Sequence, residues 1–422
     1  MGFIDLGQVT RADARPGPEP WTRWRRRALA LGVAAVTLLT CGAAETVRGS
    51  PLREVFSVPT GAHGRSDQQL VLDGDTLFRV YREGASTYLA RHDLAAHGRL
   101  TWRVPVDASV VGSLVLEGRL LLVQQYADVT KDPAPTTMAF DAGTGAPLWT
   151  IRGFLYAGLG GEKGLISQGS EMVGIELATG RELWRRPQPG GGAALVGGSA
   201  PVAPWRIATT EGSTLRVLDL ETGAVLRSRD IGPDQGPERF GGVFATPDAL
   251  VLRRGPTYTT YDPDTLEQLW TSASAQVAWA MPCARLLCEM TGRDVVAVDV
   301  RTGERRWTSP VEGLYLSGMG LVGPRGGGTR LIDTATGRQL LDLGRWVPLP
   351  GRETLRGEPA PADRIAVSAI FDGVDWVGVA DLRAGRIRPL APVKGAGDER
   401  CVASAKYLVC TLISEKLTGW TF

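Results

Sequence analysis

Residues 139–149 read Ala-Phe-Asp-Ala-Gly-Thr-Gly-Ala-Pro-Leu-Trp, and residues 297–307 repeat the pattern as Ala-Val-Asp-Val-Arg-Thr-Gly-Glu-Arg-Arg-Trp. An alternating apolar strand leads into each copy, and the aspartate can accept hydrogen bonds from backbone N–H groups that follow it in a turn. The glycine supplies a positive-φ position, after which a second strand leaves with the tryptophan. One copy therefore predicts a β-hairpin.

Weaker copies of this pattern recur along most of the chain. Their glycine position falls at residues 98, 145, 180, 223, 266, 303, 337 and 385, with Leu266 in place of one glycine. The spacing averages about 41 residues, and two more strand-like runs precede each copy, so a unit holds about four short strands. This repeat is typical of a β-propeller. We predict an all-β chain that folds as one body and not as two or three domains.

The pattern Ala-x-Asp-x-x-Thr-Gly-x-x-x-Trp resembles the tryptophan-docking repeat of the pyrroloquinoline quinone (PQQ)-like β-propeller superfamily, over roughly residues 51–422. The resemblance implies four-stranded blades and a ring closed by a blade that both chain ends share, with Phe56 at a tryptophan position. The eight register positions and the one unit split between the chain ends give nine units. Because propellers typically have at most eight blades, we predict eight, with one degenerate unit merged into its neighbour, while seven or nine stay possible.

The resemblance also implies that the repeated tryptophans dock each blade on the next. The expected docking residues are Trp102, Trp149, Trp184, Trp270 and Trp307, with Gly145, Gly180, Gly223, Gly303 and Gly337. The quinoprotein enzymes of the superfamily bind Ca²⁺ through a Glu, an Asn and an Asp, and cap PQQ with a disulfide between adjacent cysteines. This chain has no asparagine, no adjacent cysteines and no Cys-x-x-Cys-His motif. We therefore expect no PQQ or other cofactor, no metal site, no catalytic residue and no enzymatic activity.

The N-terminal region carries a basic block before an apolar run. Residues 1–27 contain six arginines and three carboxylates, whereas residues 28–44 carry no charge. We predict a cytoplasmic basic tail at residues 1–27, a transmembrane signal anchor at 28–47 and an extracytoplasmic propeller at 48–422, closed by pairing of N- and C-terminal strands. A cleaved signal peptide with residues 28–39 as its apolar core, and a lipoprotein with Cys41 as the lipidated residue, remain open alternatives.

Four further cysteines form two local pairs, Cys283 with Cys288 and Cys401 with Cys410. Each pair can face itself across a hairpin, so we expect two local disulfides, as suits an exported protein. Four inert buried thiols are the alternative. His92 and His97 flank a turn and are expected to be solvated.

The charge distribution argues against nucleic acid as a partner, because the chain outside residues 1–27 is nearly neutral. We predict a single-pass cell-membrane protein whose propeller is a non-catalytic binding or assembly scaffold for a protein of the cell envelope. The alternatives are a divergent quinoprotein-like enzyme with a site in the central channel, and a ligand or glycan sensor. Candidate surfaces are the long insertions 127–135, 185–204, 230–239 and 347–362. The arginine-rich, asparagine-free composition resembles that of actinobacterial proteins.

Overall fold

In the computed structural model, every described strand belongs to an antiparallel sheet of four strands. The described residues contain no helix. The chain divides into two units, Met1–Arg48 and Gly49–Phe422, and all described residues belong to the second. The structure describes residues 52–60, 69–107, 111–126, 134–156, 162–187, 193–196, 206–232, 242–246, 248–254, 257–272, 279–283, 285–291, 294–310, 313–316, 320–323, 328–349, 364–393, 401–404, 406–412 and 416–421.

We call each four-stranded sheet a blade and number the blades in chain order. β1 (Arg53–Pro59) precedes blade 1, which consists of β2 (Gln69–Asp73), β3 (Thr76–Glu83), β4 (Ser86–Asp93) and β5 (Arg99–Val106). Blade 2 consists of β6 (Val111–Glu117), β7 (Leu120–Gln125), β8 (Thr136–Asp141) and β9 (Pro147–Arg152). Blade 3 consists of β10 (Phe154–Tyr156), β11 (Lys163–Gln168), β12 (Glu171–Glu176) and β13 (Glu182–Pro187). Blade 4 consists of β14 (Ala193–Val196), β15 (Arg206–Glu211), β16 (Thr214–Asp219) and β17 (Val225–Asp230). Blade 5 consists of β18 (Gly242–Ala245), β19 (Leu250–Arg254), β20 (Thr257–Tyr261) and β21 (Gln268–Thr271). Blade 6 consists of β22 (Trp279–Cys283), β23 (Leu286–Met290), β24 (Val295–Asp299) and β25 (Arg305–Ser309). Blade 7 consists of β26 (Gly313–Leu316), β27 (Gly320–Gly323), β28 (Thr329–Ile332) and β29 (Gln339–Gly344). Blade 8 consists of β30 (Val347–Pro348), β31 (Arg364–Phe371), β32 (Val374–Asp381) and β33 (Arg386–Pro392).

Blade 9 joins the two ends of the described chain. Its strands β34 (Cys401–Ala403), β35 (Tyr407–Thr411) and β36 (Lys416–Thr421) come last in the sequence, and β1 pairs with β36 as its fourth strand. Ser57 lies opposite Thr418 in this pairing, and their hydroxyl oxygens are 3.1 Å apart. The closing pair therefore links residues that are 361 positions apart in sequence.

The buried apolar side chains form nine clusters, and each cluster joins two neighbouring blades. Leu72 and Leu77 of blade 1, for example, pack with Tyr407 and Val409 of blade 9. The first strands of neighbouring blades also lie together, since β2 contacts β6 and β34. A blade buries its apolar faces only against its neighbours, so the nine junctions stabilise the β-propeller as one ring.

The preference for eight blades is wrong, because the described residues form nine four-stranded sheets. No degenerate unit merges with its neighbour. The copy around Leu266, which lacks the glycine, forms the hairpin of β20 and β21, and the copy that ends in Pro389 forms the hairpin of β32 and β33. Hairpin pairing tolerates these replacements, so the eight units with register positions and the unit shared by the chain ends are all present.

The strand order gives every blade two different ends. The turns between its first two strands and between its last two strands lie at one end, which we call the register end. The hairpin between the second and third strands and the connection to the next blade lie at the other, the connection end.

Candidate functional site

The five predicted docking tryptophans contact the register turn of the following blade. In each case the indole Nε1–H donates to the carbonyl oxygen three residues before the turn glycine. The donor–acceptor pairs and distances are Trp102 to Ala142 (3.3 Å), Trp149 to Leu177 (2.7 Å), Trp184 to Leu220 (2.7 Å), Trp270 to Val300 (2.9 Å) and Trp307 to Thr334 (3.1 Å). The same contact recurs at five junctions, so these tryptophans pack blades together.

Five register glycines lie under a tryptophan of the preceding blade, namely Gly145, Gly180, Gly223, Gly303 and Gly337. Gly223 has a φ of +66°, and a Cβ at this position would lie 2.6 Å from the ring of Trp184. Backbone conformation and space therefore both select glycine there. Phe56 makes the equivalent contact on Gly98, where the ring closes.

His92 is buried beside this closing contact and is only 3 % exposed, so the expectation that it is solvated is wrong. Its Nδ1 lies 2.9 Å from the carbonyl oxygen of Gly98, and its ring stacks on Phe56. Burial lowers the pKa of His92, which favours the neutral imidazole. His97 is exposed, as expected.

The junction between blades 4 and 5 uses arginines in place of a tryptophan. Arg227 occupies the tryptophan position, and Leu266, with a φ of +60°, occupies the glycine position. Nε of Arg227 donates to the carbonyl oxygen of Asp264 at 3.2 Å, and Nη1 of Arg229 donates to that of Leu266 at 2.9 Å. The side chain of Leu266 is 1 % exposed and packs in the core between the two blades. The two replacements occur together because a leucine side chain needs the space that a docked indole takes.

Both expected cysteine pairs are joined as disulfides. Cys283 and Cys288 lie 5.6 Å apart between their Cα atoms and link the first two strands of blade 6. Cys401 and Cys410 lie directly opposite each other in blade 9, with their Cα atoms 4.0 Å apart. Each bond therefore crosslinks the first hairpin of its blade.

Several predictions concern residues outside the described part of the chain. They are the basic tail, the anchor at residues 28–47, Cys41 and most of the four long insertions. The described residues contain no helix that is long and apolar enough to cross a membrane. Within the same residues, no three His, Cys, Asp or Glu side chains are grouped so that they could hold a metal ion.

A pocket of about 950 Å³ lies at the connection end of blade 8. Trp346, in the connection from blade 7, lines it together with residues of blade 8, which are Phe371, Asp372, Val374, Trp376, Pro389 and Pro392. The rings of Trp346 and Phe371 meet edge to face, with centroids 5.4 Å apart. A concave, mostly apolar wall with few polar groups is the usual form of a binding site.

The pocket lies where the repeat departs from its rule. In blade 3, Trp184 lies opposite Gly174 in the strand pairing and covers it. In blade 8 the equivalent pair is Gly378 and Pro389, so no tryptophan of the blade covers the glycine. Trp346 of the preceding connection covers the glycine instead. A Cβ on Gly378 would lie 3.1 Å from the indole ring of Trp346.

The turn of Asp372 and Gly373 fixes the position of the pocket's carboxylate. Both residues have positive φ, +51° and +75°, as in a type I′ hairpin turn. The backbone twist of this two-residue turn matches the twist of the flanking strands. This turn joins Phe371 directly to Val374 across the hairpin. Asp372 is exposed at the rim, whereas Phe371 and Trp376 are half-buried on one face of the blade. The pocket can hold an apolar group and attract a positive charge, but its described lining offers no nucleophile or histidine base.

This pocket is not among the predicted surfaces, because the prediction placed function in the long insertions and gave the aromatic residues a structural role. A usable signal was present: Trp346 and Trp376 stand outside the register position, next to the one copy in which proline replaces the tryptophan. Among the described residues of the predicted surfaces, Val347 follows Trp346 of the pocket directly in sequence.

Comparison with known proteins relates the chain to one repeat family. The PQQ_2 family model, described as outer membrane protein assembly factor BamB, matches residues 6–195, 129–248 and 211–340. The overlapping matches together cover most of the chain, as expected when one model recognises successive repeats. Among curated proteins, none matches the chain by sequence.

Solved structures share the fold at low sequence identity. BamB from Moraxella catarrhalis is 18% identical, with 88% of this chain and 100% of that one covered and a TM-score of 0.45. A europium-containing methanol dehydrogenase is 13% identical, with 78% and 84% covered and a TM-score of 0.43. A eukaryotic initiation factor is 10% identical, with 79% and 90% covered and a TM-score of 0.53. The structure with a TM-score of 0.53 supports the fold alone, because its identity is 10%.

Proposed function

The chain belongs to the PQQ_2 family of propeller repeats, and from this premise we propose that it is a membrane-anchored, extracytoplasmic scaffold that binds a protein of the cell envelope without catalysing a reaction. The observation that carries the proposal is the pocket of blade 8. Three aromatic rings, two prolines and a valine form its wall, with one carboxylate. Aromatic side chains set in an apolar wall are typical of the energetically dominant centre of a protein interface.

Two further features support an exported binding protein. Disulfides persist in oxidising compartments outside the cytosol, and this chain holds two. The arginine block before the apolar run of residues 28–44 favours a cytoplasmic N-terminus and export of the remainder. The family's description as an assembly factor agrees with a role in which binding is the function.

The absence of asparagine from the sequence supports a non-catalytic role within this superfamily. The Ca²⁺ site of the quinoprotein enzymes includes an asparagine ligand, and this chain cannot supply it. The docking tryptophans are also engaged at blade junctions and do not converge on one site. We propose that the protein functions without PQQ.

Affinity capture tests the proposal with the full-length tagged chain in membranes of its own cells. Val374→Trp places a bulky ring in the pocket, and Ser170→Trp adds the same ring to the exposed connection-end hairpin of blade 3 as a matched control. We expect a stoichiometric envelope protein with the wild type and with Ser170→Trp, and at least tenfold less with Val374→Trp. Equal recovery with all three chains would refute the assignment of the pocket. Saturable PQQ binding with Ca²⁺-dependent alcohol oxidation would refute the non-catalytic assignment.

A further inference from the structure

The aromatic walls of the blade 8 pocket have the composition of a cation-binding site. Two tryptophans and a phenylalanine line it, and the rings of Trp346 and Phe371 stand at 63° to each other. Rings that meet at such an angle form two walls of a corner. A cation held over the face of an aromatic ring is attracted by the ring's quadrupole, most strongly by tryptophan.

The charge at the pocket favours the same class of ligand. Asp372 is the one charged residue among its described lining residues, and no lysine or arginine is among them. The hairpin turn holds this carboxylate at the exposed rim, where a cation entering the pocket passes it. A negative rim and aromatic walls attract a positive group and disfavour an acidic one.

The size of the pocket indicates that the cation belongs to a larger molecule. A volume of about 950 Å³ is near the upper end of the usual range of about 300–1,000 Å³ for ligand sites. A single ammonium or guanidinium group would leave most of it empty. Pro389, Pro392 and Val374 supply apolar surface on which neighbouring side chains of the same ligand can pack. Arginine suits such a site, because its planar guanidinium stacks on aromatic rings and is weakly hydrated.

We propose that this pocket binds an arginine side chain of the partner, flanked by apolar residues, with the guanidinium on the aromatic rings and Asp372 as its counter-charge. The proposal rests on the proposed scaffold function, and it specifies the chemistry by which the partner is recognised.

The test titrates the full-length chain with the peptide acetyl-Gly-Leu-Arg-Leu-Gly-amide and with the same peptide carrying citrulline. Citrulline keeps the shape of arginine but has a neutral carbonyl oxygen in place of one guanidinium nitrogen, so the two peptides differ in charge and in one hydrogen-bonding group. Tryptophan fluorescence follows binding. We expect saturation by the arginine peptide and about tenfold weaker binding of the citrulline peptide. Equal affinities, or no binding of either peptide up to millimolar concentration, would overturn the proposal.

Two variants locate the effect in the pocket. Trp376→Leu keeps an apolar side chain but removes the ring, and Asp372→Asn removes the charge while asparagine still tolerates the positive φ of the turn. We expect about tenfold weaker arginine-peptide binding for the first and about threefold for the second. Asp107→Asn, in an exposed connection, should change nothing. Wild-type affinity in both pocket variants would overturn the proposal, with urea unfolding confirming that each variant is folded.

Parallel measurements separate this proposal from the scaffold function. If affinity capture succeeds but the arginine and citrulline peptides bind equally, the scaffold function stands and the cationic ligand is wrong. Choline chloride distinguishes a small free cation from a partner's side chain. Choline binding that is tighter than that of the arginine peptide would contradict a protein ligand and assign the pocket to a small quaternary ammonium compound.

Discussion

A single indole illustrates how this chain packs its blades. Trp184 is 9 % exposed and covers Gly223 of the next blade while its Nε1–H donates to the carbonyl oxygen of Leu220 at 2.7 Å. The contact satisfies the one polar atom of the ring and buries the remainder. A tryptophan in this register therefore stabilises the propeller strongly, and the residue that it covers must be glycine.

Gly223→Ala should destabilise the protein more than Gly212→Ala does. Both glycines have positive φ, +66° and +55°, so an alanine carries the same backbone cost at each. Only at Gly223 would the new methyl group meet the ring of Trp184, and nothing lies within 4 Å at Gly212. We expect an additional loss of about 1–3 kcal/mol in the free energy of unfolding, measured in urea. Equal losses in the two variants would contradict the docking role of Gly223.

The buried carboxyl group of Glu289 should make the stability of the protein depend on pH. This side chain of β23 is 9 % exposed, and burial raises its pKa to about 7, although Arg305 opposes the shift. Because the unfolded chain ionises this group near pH 4.5, the stabilising effect of the protonated form is lost as the pH rises from about 4.5 to about 7. Glu289→Gln should match the wild type at pH 4 and exceed its unfolding free energy by about 1–3 kcal/mol at pH 8. A difference that is the same at both pH values would contradict this account.

At the scale of elements, the hairpin repeat tolerates local replacement when neighbouring blades change together. Blade 4 presents Arg227 where five other blades present tryptophan, and blade 5 presents Leu266 where seven others present glycine. The outer strand β17 is exposed along its whole length, whereas Trp184 of β13 is buried. A polar contact of arginines with backbone carbonyls thus substitutes for an apolar dock.

A double-mutant cycle at this junction tests the coupling. Arg227→Trp alone should destabilise the protein, because Leu266 fills the space that the indole needs. Leu266→Gly alone relieves the positive φ but leaves a cavity between the blades. Together the two changes restore the contact of the other junctions, so we expect a favourable coupling of about 1–3 kcal/mol in urea unfolding. Additive effects would show that the two positions are independent.

At the scale of the whole molecule, the ring depends on the pairing of β1 with β36. Ser57→Cys with Thr418→Cys should form a disulfide on oxidation, since directly paired residues have a suitable Cα separation. The bond would close a loop of 361 positions and raise the unfolding free energy by about 5 kcal/mol relative to the two single variants. Failure to crosslink under conditions that preserve both native disulfides would contradict the closing blade.

The sequence predicts the propeller well because its repeat carries its own geometry. Asp141 accepts from the N–H of Thr144 at 2.8 Å, and Gly145 follows with positive φ, so the hairpin is encoded within eleven residues. Blade number was harder to predict, because it depends on whether degenerate copies such as that of Leu266 keep their strand pairing. Tryptophans outside the register position mark the region of the pocket, but its walls could not be derived from the sequence, since they require that Trp346 of one connection reach Gly378 of the next blade. Such a contact depends on the packing of blades and on no local pattern.

We propose that the partner binds at blade 8, where proline replaces the docking tryptophan of the repeat. A photo-reactive amino acid placed at Val374 of the full-length chain, in its own cells, tests this most directly, with Ser170 at the regular connection-end hairpin of blade 3 as the matched position. We predict one dominant protein adduct from Val374 that is lost when Trp376→Leu is added, and none from Ser170. Adducts of equal yield from both positions, or an adduct from Ser170 alone, would contradict the claim.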